Sequence, residues 1–146
     1  MKHIKKIVYL AVTASLVCLF YANALAAPLK KQDALTQFMT EFQKGAYVQA
    51  LDILNQVSPA DKNDTAVLYW TGMTEFKLQK YDSAAASLTK VVQLDKKKEF
   101  QDAPYVLGQS HYASKDFRRA RVAFKISADR QYKVGASNYY IGYIQN

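Results

Sequence analysis

Residues 64–97, DTAVLYWTGMTEFKLQKYDSAAASLTKVVQLDKK, decide the fold. They read as two helices joined by a tight turn. Leu68, Gly72, Phe76 and Leu78 mark the first helix, and Tyr81, Ala84, Leu88 and Val91 mark the second. Steps of three and four residues recur in both sets, the spacing that puts side chains on one face of a helix. Gly72 lacks a side chain where a neighbouring helix must come close, and Ala84 is nearly as small on the facing helix. Such a hairpin has an apolar face it cannot cover alone, so the stretch needs copies of itself.

The chain supplies them. Tyr81, Ala84, Leu88 and Val91 have counterparts 34 residues earlier in Tyr47, Ala50, Leu54 and Val57, and 36 residues later in Phe117, Ala120, Phe124 and Ser127. On the first helices Phe42, Phe76 and Tyr112 share one register, and Gly72, Gly108 and Gly142 another. Leu107-Gly108 and Ile141-Gly142 give a Leu-Gly-type pair, while Thr71-Gly72 keeps only the glycine. With Ala50, Ala84 and Ala120 at the small position of the second helix, the chain resembles a tetratricopeptide repeat array, whose period is about 34 residues. It departs from that pattern at Phe38, where glycine belongs, at Ser127, an apolar position, and at Lys96, where a closing proline is common.

The resemblance covers roughly residues 33–146 and implies an all-α, right-handed superhelix of antiparallel hairpins. Repeats fall at about 31–62, 65–98 and 101–133, with a partial fourth at 134–146. No segment shows the period-two alternation of a strand. Lys44-Gly45-Ala46 turns the first hairpin, with Gly45 able to take the left-handed conformation at a helix end. Ser58-Pro59 stops the second helix, and Asn63 or Asp64 can cap the third. Asp102 and Asp116 are expected caps for later helices, with Pro104 in a first turn where its missing N–H costs little.

Upstream of the repeats, Lys2, Lys5 and Lys6 form a basic head, residues 7–22 an uncharged apolar run, and Ala24-Leu25-Ala26 a small-x-small cleavage site. This reads as a signal peptide over 1–26, ahead of a 27–146 repeat domain. The same run would also serve as an uncleaved anchor, but Asn23 and the alanine-rich end favour cleavage. Leader and repeats together are similar to exported bacterial tetratricopeptide proteins, which implies a periplasmic or secreted location. Cys18 is the only cysteine. Val17 before it and Leu19-Phe20-Tyr21 after it argue against lipidation there. The mature chain would hold no disulfide and rest on packing alone. Cleavage would remove three lysines from a chain of net charge +8, leaving +5. Lys96, Lys97 and Lys98 cluster in one loop, and Arg118, Arg121 and Lys125 lie at helical spacing. These read as a solvated face or as a basic patch for an acidic partner or anionic headgroups.

Chemistry is sparse. His111 is the only histidine beyond the leader, and Ser110 and His111 point about 100° apart on one helix, too far for a nucleophile and its base. No Cys/His spacing for a metal and no phosphate-cradling glycine loop occurs. No enzyme, metal or cofactor is expected. Export disfavours nucleic acid as a partner.

The resemblance places the first helices on a concave face that commonly holds a peptide. In that register Leu35, Tyr69, Tyr105 and Tyr139 form one row. Thr36, Trp70, Val106 and Tyr140 form the next, and Met39, Met73, Gln109 and Tyr143 a third. Tyr69, Trp70, Met73, Tyr105, Gln109, Tyr112, Tyr139 and Tyr143 are the candidate groove residues, since Tyr and Trp offer broad apolar area with a polar tip. The expected function is a non-enzymatic scaffold of the bacterial envelope that binds a protein or peptide. The alternative is the periplasmic arm of a longer secretion or exopolysaccharide-export protein contacting glycan. Membrane contact is expected only through an uncleaved leader. The aromatic helix at 133–146 implies either continuation of the array or association with another copy.

Overall fold

A computed structural model describes residues 27–145. The expected leader and Asn146 lie outside the described residues. Among the described residues seven α-helices follow one another: α1 (Lys31–Gln43), α2 (Tyr47–Asn55), α3 (Thr65–Lys77), α4 (Tyr81–Leu94), α5 (Ala103–Ala113), α6 (Phe117–Asp129) and α7 (Val134–Gln145). They pair as hairpins α1/α2, α3/α4 and α5/α6, stacked in chain order, with α7 laid on α6. The result is an all-α helical-repeat solenoid. The first hairpin touches the second less closely than the second touches the third. Among the described residues the only β-type pairing is the isolated bridge between Leu29 and Val57. No helix among them is long and apolar enough to cross a membrane.

Each hairpin closes in the same way. Gly45, Gln79 and Lys115 all have positive φ, at 77°, 58° and 62°. The following residues Ala46, Lys80 and Asp116 donate back to the carbonyls of Glu41, Glu75 and His111 at 3.0, 2.8 and 2.8 Å. This is a left-handed helix cap in which orphan carbonyls are satisfied within the turn. Only the first turn uses the residue without a left-handed penalty. Gln79 and Lys115 bear a cost of roughly 1–2 kcal/mol each, offset by the packing the turn makes possible.

That packing depends on missing side chains. A Cβ on Gly72 would lie 2.7 Å from Leu88 Cγ, and one on Gly108 would lie 2.7 Å from the Phe124 ring. Leu88 and Phe124 are both fully buried. In the first hairpin the expected glycine is replaced by Phe38. Its buried ring packs with Ala50 and Leu54 and touches Phe42 and Trp70. The first helix thus supplies volume itself instead of yielding to the second. Gly142 holds the corresponding place on α7, yet a Cβ there would meet no atom within 4 Å. Ser127, the polar intruder at an apolar position, is buried and donates its hydroxyl to the Tyr132 carbonyl at 2.8 Å.

The caps divide. Asp64 accepts from the N–H groups of Ala66 and Val67 at 3.0 and 3.4 Å, and Asp116 from that of Arg119 at 3.1 Å. Asp102 does not cap. Its backbone is already helical, with φ −82° and ψ −18°, so its carboxylate turns away from the helix end. It instead accepts the Tyr69 hydroxyl at 2.9 and 3.1 Å, pinning the second hairpin to the third.

The loop between α4 and α5 is held by Asp95. Its carboxylate accepts from the N–H groups of Glu99 and Phe100 at 2.8 and 3.1 Å and pairs with Arg130 at 3.0 Å. The two side chains are 3% and 8% exposed, which makes this a buried ion pair. Burial alone would raise the Asp95 pKa, but the two N–H groups and the guanidinium outweigh it and hold the carboxyl below its usual range.

Two stability outcomes are expected. Gly108→Ala should overpack against Phe124 and lower stability by roughly 1–3 kcal/mol, whereas Gly142→Ala should raise it by about 0.5–1 kcal/mol; urea unfolding of both variants measures the contrast. Asp95→Ala should cost about 3–5 kcal/mol near neutral pH, since it strands Arg130. The depressed native pKa means the unfolded Asp95 takes up its proton first as pH falls. Asp95's contribution is therefore complete above about pH 4 and shrinks below it. Unfolding curves of parent and variant should converge in that acid window.

Candidate functional site

The candidate groove residues all lie on first helices, but the structure separates them by role. Tyr69 is only 8% exposed, its ring stacked on Phe100 at 4.5 Å. Burial, then the charge and hydrogen bond of Asp102, raise its pKa, so the phenol stays protonated and remains a donor. Tyr69 is an inter-repeat pin rather than a surface. Trp70 is half-buried in an aromatic web, 5.5 Å from Phe38, 5.6 Å from Phe42 and 4.9 Å from Tyr69. Met73 packs against the central core. Tyr105 is half-buried between Phe124 and Tyr132, at 5.7 and 6.1 Å. Gln109 is half-buried as well.

The exposed aromatic area lies further along the stack. Tyr139 and Tyr143 are 68% and 60% exposed, one helical turn apart on α7, with rings stacked at 6.3 Å and 23°. Tyr143 meets Tyr112 of α5 at 6.3 Å, and Tyr112 meets Tyr140 at 5.2 Å. Tyr140 lies flat on buried Phe124 at 4.5 Å and 4°. A base of Phe124 and Tyr140 therefore carries half-buried Tyr112 and the exposed Tyr139 and Tyr143. Helix α7 contains no charged residue, and α5 none but His111, whose pKa is lowered mainly by burial. Burial thus favours the neutral form of His111, and neither helix carries a lysine, arginine or carboxylate.

The basic residues do not form one patch. Lys96, Lys97 and Lys98 are exposed in the loop whose Asp95 grips Arg130 just past the end of α6. Arg118 lies at the opposite end of α6, about 18 Å away along the axis at 1.5 Å per residue. Arg121 and Lys125 are exposed between them, with Lys125 3.8 Å from Asp129. Ser110, beside His111, is fully buried and donates to the Val106 carbonyl at 2.8 Å, so it is no nucleophile. No cluster of metal-ligating residues occurs among the described residues.

Sequence reasoning missed two things here. One is the Asp95–Arg130 pair, whose members stand apart in sequence and follow no repeat register. The other is a furrow between α4 and α6, described below, which no spacing rule announces.

No protein-family model matches the chain, and no curated protein matches it. Among solved structures it is similar to the first TPR of Spaghetti (RPAP3), bound to the HSP90 peptide SRMEEVD. The TM-score is 0.67 at 17% identity, over 82% of this chain and 96% of that one. At that identity the likeness establishes the tetratricopeptide fold.

The division of roles predicts opposite outcomes. Tyr69→Ala should cost about 3–5 kcal/mol, as expected for a large aromatic deleted from a core, whereas Tyr143→Ala should leave stability within about 0.5 kcal/mol. Thermal melts of the two variants measure the difference.

Proposed function

We propose that this protein is a non-enzymatic interaction scaffold that holds an apolar or aromatic, uncharged peptide segment against Tyr112, Tyr139 and Tyr143. The observation that carries this reading is the exposed, stacked tyrosine pair of α7, a helix without a charged residue. The tetratricopeptide neighbour holds a peptide, which supports a peptide or protein partner for this fold. That peptide, SRMEEVD, is acidic, and an acidic ligand would find no lysine or arginine on α5 or α7 to meet it. The basic head, apolar run and cleavage site at 1–26 further support export, with the scaffold working in the bacterial envelope.

Tyrosine rings side by side also suit the apolar face of a sugar. The same experiment separates the two ligand classes. Neutral aromatic peptides, acidic peptides and oligosaccharides are titrated in turn against the protein, with binding read by fluorescence anisotropy. A neutral peptide should bind with little dependence on salt, because apolar contact is not screened. Tyr143→Ala and Tyr112→Ala should each weaken it by about 2 kcal/mol, the scale of a central aromatic anchor. Preference for the acidic peptides, or for oligosaccharide alone, would contradict the proposal. N-terminal sequencing of the exported protein should begin at Ala27.

A further inference from the structure

The second helices α4 and α6 leave a furrow between them, floored by Leu107 and His111 of α5. Its first section is an open trough of about 390 Å³, lined by Val92, Val122 and Ile126 over buried Leu107 and Ala123. Its second section, about 700 Å³, is more polar than the first and carries Asp82, Lys90, Ser114 and Asp116. The two sections share Thr89, His111 and Arg119, so an apolar trough opens into a more polar mouth.

The polar groups of that mouth are unequally engaged. Asp82 accepts the Ser114 hydroxyl at 2.6 Å. Asp116 caps α6 and pairs with Arg119 at 3.3 Å. The Thr89 hydroxyl donates to the Ala85 carbonyl at 2.7 Å. The acids and the hydroxyl are thus occupied within the fold. Arg118, which lines the apolar section, and Lys90, in the polar one, have no ion pair among the described residues, and the His111 ring makes no hydrogen bond among them. What the furrow leaves available is cationic or donating, next to an apolar trough within the size range of small-molecule sites.

We propose that this furrow binds a free anionic amphiphile of the aliphatic carboxylate class. The chain lies on Val92, Val122 and Ile126, and the carboxylate sits at the end of the apolar section that Arg118 and His111 line. Apolar burial supplies the attraction for the chain, and the charge-assisted bond to a guanidinium selects the head. The site is separate from the tyrosine surface: it draws on α4, α6 and the Leu107 and His111 positions of α5, and it carries charged side chains where α7 has none.

The test titrates sodium decanoate, decanol and decylammonium into the isotope-labelled full chain, following the methyl signals of Val92, Val122 and Ile126 and the ring signals of His111. Decanoate should saturate these signals at one equivalent, and bind about tenfold or more tighter than decylammonium. Arg118→Glu should abolish the preference for the anion, and Val122→Glu should weaken decanoate by about tenfold or more. Both positions are exposed, so far-UV circular dichroism should be unchanged. Non-saturating signals, or decanoate binding that both variants leave intact, would overturn the assignment. So would a response to phosphatidylglycerol vesicles with none to monomeric decanoate.

Discussion

The close approach of a first helix to its partner at glycine is the constraint on which the stack depends. Gly72 and Gly108 each leave room for a fully buried Leu88 or Phe124 at distances no Cβ would allow. Burying side chains of that size supplies roughly 1.5–3 kcal/mol apiece. It also fixes the depth at which the next hairpin must dock. Where the glycine is absent, Phe38 fills the space from the other side. The hairpin turns then follow from the spacing, since each must reverse the chain in a few residues and three of them do so with a left-handed residue.

Most of this was legible because it repeats. The 34- and 36-residue steps identify every hairpin, and the glycine and alanine positions identify the faces that meet. Gly45 announces its turn, while Gln79 and Lys115 do not, because neither residue type favours positive φ. The tertiary polar contacts were invisible. Asp102 carries the signature of a helix cap, but its helical backbone and the nearby Tyr69 hydroxyl redirect it. Asp95 stands in a lysine-rich loop that reads as solvated, and only folding brings Arg130 to it.

The aromatic register was legible as a set and not as individual roles. Sequence spacing places Tyr69, Tyr105 and Tyr139 in one row, yet Tyr69 is buried, Tyr105 half-buried and Tyr139 open. Position along the stack makes the difference. Tyr69 faces a following hairpin whose Phe100 and Asp102 cover it, whereas α7 is the last described helix, packed on α6. The proposed recognition surface of Tyr112, Tyr139 and Tyr143 is therefore apolar rather than cationic. That is a different chemistry from one suited to an acidic peptide. Arg118, Arg119, Arg121 and Lys125 lie on α6 instead, and Lys96, Lys97 and Lys98 in the α4–α5 loop.

A photo-activatable phenylalanine analogue placed at Tyr143 of α7, and separately at Val48 of α2, tests the central claim most directly. Both side chains are exposed, at 60% and 56%, so neither substitution should disturb the core. In living cells, crosslinking from position 143 should yield discrete protein adducts that neutral aromatic peptide competes away, while position 48 yields none. Equal adducts from both positions, or adducts from position 48 alone, would contradict the assignment of recognition to the tyrosine surface.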